Sequence, residues 1–195
     1  MFEESPLLRK AYEVALAAHQ GNTRKGTDIP EFTHPEAVAR LVAGHGFSEA
    51  QIAAALLHDV IEDTPLSTEE LTRDFPPDVM TIVLDLTEDE GHGSRSASWL
   101  ERKQGKLERL RSAHADSLPV CAADRLHNLI TLIEMARDRG PSTWDVFSRG
   151  PEDTLWFEKE VVAILTSRFD HPILAEYRSA VMELEAVIAS FGRPN

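Results

Sequence analysis

The sequence predicts an all-α protein of about eight to ten helices. Apolar residues recur at intervals of three and four along nearly every segment, which is the period of an amphipathic helix. Capping and breaking residues separate these segments. No stretch alternates apolar and polar residues over the length of a typical strand. With 195 residues, the chain is expected to form one domain over 1–195.

The first two helices are bounded by recognisable start and stop residues. Ser5 is a plausible N-cap before Pro6 at the first helical position. A loop is predicted over 21–32, "GNTRKGTDIPEF", because glycine and proline interrupt it. Pro35 then begins a short helix that ends near Gly44.

Two capping boxes mark the next helices. Ser48 with Gln51 begins a helix predicted to continue through "ALLHDVIEDT" and to end before Pro65. Ser67 with Glu70 repeats the pattern and begins a short helix.

The remaining chain is also helical by its periodicity. One amphipathic helix follows the Pro76-Pro77 pair, and the polar stretch 87–98 is predicted to be a surface loop. Four further helices are expected at about 98–112, 117–138, 152–168 and 172–190.

Composition narrows the possible partners and location. A formal net charge of −13 argues against binding to DNA, RNA or an anionic membrane. The single cysteine, Cys121, cannot form an internal disulfide, and the N-terminal residues do not resemble a signal peptide. No apolar run is long enough to span a bilayer. We expect a cytoplasmic protein, and a homo-oligomer is possible.

The stretch "ALLHDVIEDT" places ionisable groups on an otherwise apolar helix. At the period of an α-helix, His58, Asp59, Glu62 and Asp63 project from less than half of the circumference. Buried carboxylates are costly unless they are paired or bind a metal. An adjacent His-Asp pair can supply two ligands to a divalent ion, although in isolation a solvated C-terminal turn is the better explanation of such a pair.

Two other segments favour the metal site. His34 lies at a loop-to-helix junction before Pro35. Asp124 and Asn128 lie one turn apart within an apolar helix, where such residues need partners. Asp124 could therefore complete a metal shell with His34 and the His-Asp pair, and Asn128 could hydrogen-bond a ligand beside it. The nearby His127 is interpreted as supporting or packing against these residues.

The donor types also suggest the metal and the ligand. Two imidazoles and two carboxylates suit a divalent transition ion such as manganese, iron or zinc. Arg24 and Lys25 lie in the glycine-bounded loop and could bind phosphate, although adjacent surface cations are more often merely solvated.

In these residues the chain resembles the HD superfamily of metal-dependent phosphohydrolases. More narrowly, it is similar to small alarmone hydrolases and to the hydrolase half of RelA/SpoT proteins. The similarity is carried by "AAHQGNTRKGTDIP…THPEAVA", "ALLHDVIEDT", "AADRLHNL", "WLERK" and "GPEDTLWF", in matching order. It implies the all-helical HD-domain fold and a manganese-dependent reaction that removes the 3′-pyrophosphate of guanosine tetra- or pentaphosphate.

The resemblance also implies roles for individual residues. The metal ligands would be His34, His58, Asp59 and Asp124. The residues that act on the attacking water would be Glu62 and Asp63. Nucleotide contacts would come from Arg24, Lys25 and Asn128. Weaker candidates for phosphate contact or for the pocket wall are Lys103, Trp156 and Phe157.

The chain departs from the family pattern at two positions. Glu31 stands where relatives usually have an aromatic residue, and Cys121 stands where a lysine is common. Both changes would disfavour a highly charged anion if these side chains face the ligand. The alternatives are therefore an HD phosphohydrolase of NADPH or of a deoxynucleotide, or a non-catalytic nucleotide-binding module. The presence of both Glu62 and Asp63 favours an enzyme.

Overall fold

The computed structural model describes residues 2–87 and 98–191. These ranges contain ten α-helices and two short 3₁₀ helices, and their only β-bridge pairs Thr23 with Pro30. The predicted all-α class and the expected number of helices are confirmed. The helices are α1 Pro6–Ala18, α2 Thr33–Gly44, α3 Glu49–Leu57, α4 Val60–Asp63, α5 Thr68–Asp74, α6 Pro77–Leu86, α7 Trp99–Ser112, α8 Ser117–Arg139, α9 Pro151–Arg168 and α10 Pro172–Ser190.

Capping residues define these helices as predicted. The Ser5 hydroxyl accepts a hydrogen bond from the backbone of the first turn of α1. Both predicted capping boxes form, Ser48 with Gln51 at α3 and Ser67 with Glu70 at α5. Each satisfies backbone donors that a helix N-terminus leaves without partners.

The helix predicted to run from Ser48 to Pro65 is in fact two helices. α3 ends at Leu57 and α4 begins at Val60, so the His-Asp pair lies at a break. The Nδ1 atom of His58 lies 2.8 Å from the carbonyl oxygen of Ala55, which gives that carbonyl a side-chain partner where the helix stops. The break, rather than one helical face, sets the directions of His58 and Asp59.

Three other boundaries differ from the sequence-based expectation or lie beyond what the structure describes. α2 begins at Thr33, so His34 lies in its first turn rather than in the preceding loop. A 3₁₀ helix at Gly140–Val146 was not predicted. Most of the predicted loop 87–98 falls on residues 88–97, outside the described residues, as do the stop signals Gly192 and Pro194.

The central helix α8 brings the functional segments together. It packs against α2, α3, α6, α9 and α10. Asp85, near the end of α6, accepts hydrogen bonds from the Ser117 hydroxyl and the His114 backbone N–H, which fixes the start of α8. Since α2 and α3 carry His34 and lead to His58, their packing on α8 determines where those side chains meet Asp124.

Within the described ranges, no helix combines the length and apolar character needed to cross a lipid bilayer. The cytoplasmic location and the possible homo-oligomer stay predictions.

Candidate metal centre and ligand pocket

The four predicted metal ligands meet at one point of the structure. His34 Nε2 lies 3.1 Å from Asp124 Oδ1 and 3.6 Å from Asp59 Oδ2. His58 Nε2 lies 3.3 Å from Asp59 Oδ2 and 3.8 Å from Asp124 Oδ1. Both histidines are buried, and the two carboxylates are about one fifth exposed, 22% and 20%. Two imidazole nitrogens thus face two carboxylates from three separate segments of the chain.

His58 has the geometry of a ligand with a fixed tautomer. Its Nδ1 faces the carbonyl oxygen of Ala55, so Nδ1 carries the proton and donates it. Its Nε2 is buried and has no hydrogen-bond partner among the described residues. In neutral His58, the buried Nε2 lone pair beside Asp59 and Asp124 is what a divalent cation would satisfy.

His34 is supported by a second histidine. His34 Nδ1 lies 2.7 Å from His127 Nδ1. If His34 Nε2 held a divalent cation, the one proton of neutral His34 would lie on Nδ1, and this N–H would donate a hydrogen bond to His127. This contact agrees with the interpretation of His127 as a supporting residue, and it orients the His34 ring.

The pKa values reflect how strongly these groups interact. Burial lowers the pKa of His34 to about 3, against the opposing effect of Asp124. Burial also acts to lower the pKa of His58, but Asp59 and Asp124 outweigh it and raise the value to about 10. Burial raises the pKa of Asp124, but its contacts with the two imidazoles hold the value well below the usual range. A divalent cation would replace the shared proton and balance both carboxylates, so the residues present fit such an ion.

A group of carboxylates adjoins this centre. Carboxylate oxygens of Glu31, Asp59 and Asp63 lie within 4.8 Å of one another. Burial and the negative charges of Glu31 and Glu62 raise the pKa of Asp63. Asp63 lines the pocket described below and Glu62 does not, so the structure places Asp63 nearer to a bound ligand.

A chain of polar contacts links the 21–32 loop to the metal ligands. Arg24 donates one hydrogen bond to Glu31 Oε1 at 2.8 Å and another to Asn128 Oδ1 at 2.9 Å. Asn128 in turn donates to Asp124 Oδ1 at 2.5 Å. Glu31 therefore does not present an uncompensated charge to the pocket, because Arg24 neutralises it.

A pocket of about 1340 Å³ opens beside the metal centre. His127, Asn128 and Asp63 form its border with the metal ligands. The Lys and Arg residues in its lining are Arg24, Lys25, Lys103, Arg125, Arg139 and Arg149. The Asp and Glu residues in its lining are Glu31, Asp63, Glu134, Asp138 and Glu158. The lining thus has a small excess of positive charge on a protein whose net charge is −13, which suits an anionic ligand.

The weaker sequence candidates fall in different places. Lys25 Nζ lies 5.4 Å from the centre of the Phe147 ring, and Lys103 Nζ lies 4.5 Å from the centre of the Phe157 ring. Both lysines and Phe157 line the pocket, whereas Trp156 does not, so its expected place in the wall is wrong.

Cys121 is buried and does not line the pocket. Burial raises the pKa of its thiol to about 12. The loss of a lysine at this position therefore does not remove a cation from the ligand site.

Sequence reasoning missed two charged residues and one histidine near this site. Arg125 lines the pocket next to its buried partner Glu158. The signal that could have identified Arg125 in the sequence is its place directly after Asp124 in an otherwise apolar helix. His19 is 2% exposed, and neither ring nitrogen has a hydrogen-bond partner within the described part of the chain.

Comparison with known proteins places these features in a family. The HD domain family matches residues 11–149. The chain is 34% identical over 152 residues to "GTP pyrophosphokinase rsh" of Brucella suis biovar 1 (strain 1330), which covers 73% of this chain and 20% of that protein. It is 34% identical over 138 residues to "Bifunctional (p)ppGpp synthase/hydrolase SpoT" of Escherichia coli (strain K12), covering 68% and 19%. The chain thus matches about one fifth of the length of these curated relatives.

Two solved structures have a similar fold. One is a metazoan ortholog of SpoT that hydrolyses ppGpp and has a role in starvation responses, with a TM-score of 0.72 and 25% identity. The match covers 96% of this chain and 97% of the ortholog's chain. The other is a protein from Listeria monocytogenes EGD-e, with a TM-score of 0.68 and 28% identity, covering 80% and 99%.

Proposed function

The chain belongs to the HD domain family, and we propose that it is a metal-dependent 3′-pyrophosphohydrolase of guanosine tetra- and pentaphosphate. The observation that carries this proposal is the convergence of His34, His58, Asp59 and Asp124 at the edge of a pocket. The lining of this pocket has a small excess of positive charge. The similarity to SpoT and to its metazoan ortholog supports the choice of substrate.

The metal would be held by the two imidazole Nε2 atoms and the two carboxylates, with manganese proposed ahead of iron or zinc. When bound, such an ion supplies positive charge that polarises a phosphoryl oxygen and makes a nearby water more acidic. The side chains keep this donor set in place. His58 is fixed by its contact with Ala55, and His34 by its contact with His127.

The adjoining carboxylates would handle the proton of the attacking water. Asp63 has a pKa raised by burial and by Glu31 and Glu62, which makes it a stronger base than an ordinary aspartate. A positioned base of this kind contributes about 10²–10⁴-fold to a rate. Glu62, one residue away, is proposed to assist Asp63 in orienting the water.

The reaction breaks one bond and forms one. The water oxygen attacks the phosphorus attached to ribose O3′, the P–O3′ bond breaks, and pyrophosphate leaves with the new oxygen. One water proton passes to the carboxylate pair, and O3′ gains a proton to become a hydroxyl. Arg24, Lys25, Lys103 and Asn128 would bind the nucleotide and offset its negative charge.

The direct test is product analysis with purified protein. We expect manganese to support release of pyrophosphate and GDP from guanosine tetraphosphate, and chelation to abolish it. Products are resolved by anion-exchange chromatography and ³¹P NMR. Absence of turnover under these conditions, with a folded and metal-loaded protein, would contradict the proposal.

Two kinds of variant separate metal binding from chemistry. Asp124→Asn is expected to lose bound manganese and turnover together. Glu62→Gln and Asp63→Asn are expected to lose turnover by about 10²-fold or more while manganese content is retained. Metal content is measured by mass spectrometry after dialysis. A fall in metal content in Glu62→Gln would instead make Glu62 a metal ligand.

The same assay decides between substrates. NADPH and a deoxynucleotide triphosphate are assayed beside guanosine tetraphosphate at equal concentration. We expect guanosine tetraphosphate to have the highest kcat/KM, because the pocket combines several cations with a polar loop. Turnover of only NADPH or the deoxynucleotide would reject the alarmone while leaving the metal site intact.

A further inference from the structure

Arg125 lines the wall of the pocket. It follows Asp124 in α8, yet its guanidinium faces Glu158 of α9 and takes no part in the metal centre. Nε donates to Glu158 Oε2 at 3.3 Å, and Nη2 donates to Glu158 Oε1. The Arg125 side chain remains 23% exposed and lines the pocket.

The Glu158 carboxylate is itself fixed by a hydrogen bond from a buried tyrosine. Its side chain is 1% exposed, and Oε2 accepts a hydrogen bond from the Tyr177 hydroxyl at 2.5 Å. Tyr177 belongs to α10 and is fully buried. Three helices therefore fix the direction of one guanidinium through two buried side chains.

A second cation lies next to Arg125. The ring of Phe157 has Lys103 Nζ at 4.5 Å and Arg125 Cζ at 5.5 Å from its centre. Within the described residues Lys103 makes no hydrogen bond or ion pair. Burial and the charge of Arg125 lower the pKa of Lys103 to about 8. Two cations and one carboxylate leave this wall positively charged.

A guanidinium with a purely structural role needs neither a buried carboxylate partner nor a place in the pocket wall. Arg168 provides the comparison, because it donates to the carbonyl oxygens of Leu110 and Ala113 and does not line the pocket. Among the described residues it has no carboxylate partner. Burying an ion pair is often neutral or unfavourable for stability. The orientation of Arg125 in the pocket wall is therefore better explained by an anion that its guanidinium binds.

We propose that Arg125 is a ligand-binding residue for a phosphate group of an anion held in this pocket, and that Glu158 and Tyr177 are its positioning residues. This role rests on the proposed function only in taking the ligand to be a nucleotide with more than one phosphate group. An Arg fork held by a buried carboxylate keeps its remaining donors in one orientation, which favours a tetrahedral oxyanion.

The test measures anion binding without catalysis. Isothermal titration calorimetry with pyrophosphate is carried out on the full chain in chelator, so that metal makes no contribution. We expect Arg125→Gln to weaken binding about tenfold or more, and Tyr177→Phe about threefold. Arg125→Lys, which keeps the charge but loses the fork, should fall between them.

Matched controls distinguish positioning from stability. Arg168→Gln should lower Tm, yet its affinity for pyrophosphate should stay within about twofold of the wild type. Tyr12→Phe should likewise keep pyrophosphate affinity within about twofold of the wild type. In turnover assays, Tyr177→Phe should raise KM and leave kcat unchanged. Unchanged pyrophosphate affinity in folded Tyr177→Phe would overturn the positioning role. If Arg125→Gln does not fold, Arg125→Lys decides the binding role, and affinity equal to wild type would overturn it. A wild-type protein with no measurable pyrophosphate binding would overturn both.

These outcomes are separate from the fate of the proposed reaction. Anion binding that depends on Arg125, without turnover of guanosine tetraphosphate, would reject the reaction and keep the anion-binding wall. Turnover of guanosine tetraphosphate, with a pyrophosphate affinity and a KM that do not depend on Arg125, would support the reaction and reject the anion-binding role of Arg125.

Discussion

At the scale of single residues, the candidate metal centre depends on which nitrogen of each histidine carries a proton. The carbonyl oxygen of Ala55 accepts a hydrogen bond from His58 Nδ1–H. In the metal-binding tautomer of His34, His127 accepts a hydrogen bond from His34 Nδ1–H. Both Nε2 lone pairs then face Asp59 and Asp124. Supporting residues of this kind commonly change metal affinity by about 10–100-fold.

The contact between His127 and His34 gives a direct prediction. His127→Leu removes the acceptor for His34 Nδ1–H, so manganese affinity should fall about 10–100-fold. His127→Asn keeps an acceptor oxygen and should lose less. Titration calorimetry with manganese measures both variants, with thermal unfolding to show that each is folded. Equal affinity in wild type and His127→Leu would show that this contact does not orient His34.

At the scale of the elements, α8 is the support on which the site is built, and its start is fixed by a residue of another helix. One carboxylate oxygen of Asp85 accepts hydrogen bonds from the Ser117 hydroxyl at 2.6 Å and from the His114 backbone N–H at 2.7 Å. The His114 ring nitrogen lies 3.0 Å from the same oxygen. α6 thereby caps α8 seven residues before Asp124.

This cap makes part of the stability depend on pH. Burial raises the pKa of Asp85, but the hydrogen bonds from Ser117 and His114 outweigh it, and the folded pKa lies below the ordinary 3.8. Its stabilisation is therefore present above pH 3.8 and is lost as the pH falls through the folded pKa. Asp85→Asn should lower the free energy of unfolding by about 1–2 kcal/mol at pH 7 and by less in acid.

Denaturant unfolding at neutral and acid pH checks this prediction. Asp145→Asn, at an exposed residue, serves as the matched control and should change stability by less than about 0.5 kcal/mol. A loss in Asp85→Asn that is equally large at pH 3 would show that ionisation of Asp85 does not contribute.

At the scale of the whole molecule, the metal centre joins segments that are distant in the chain. The first turn of α2, the break between α3 and α4, and the middle of α8 contribute the four ligands. Unfolding would separate these ligands, so a cation that binds them also stabilises the arrangement of the helices.

Metal binding should therefore raise the unfolding temperature. Manganese at one hundred times its Kd contributes about 2.7 kcal/mol, which corresponds to a rise in Tm of about 5–10 °C for a domain of this size. Differential scanning calorimetry with and without manganese measures it, and Asp59→Ala should abolish the rise. A similar rise in Asp59→Ala would place the bound metal elsewhere.

Local patterns in the sequence were sufficient for most helix boundaries and for grouping the ligands. Ser5, Ser48 and Ser67 each cap a helix through bonds that span three residues, and such short-range signals can be read from neighbouring residues in the sequence. The candidate ligands were chosen by donor type and by family resemblance. Their assembly is consistent with that choice, while their individual roles stay predictions.

The sequence by itself determined the all-α class and the capped helices, because these depend on residue type and on spacings within a few turns. The candidate metal ligands came from donor type and from the resemblance to the HD superfamily. Only the tertiary structure decided the break at His58 and the pairing of Arg24 with Glu31. It alone brought Glu158 and Tyr177 behind Arg125. These features depend on the packing of α8, α9 and α10, and packing sets which partner a buried charge finds across tens of residues.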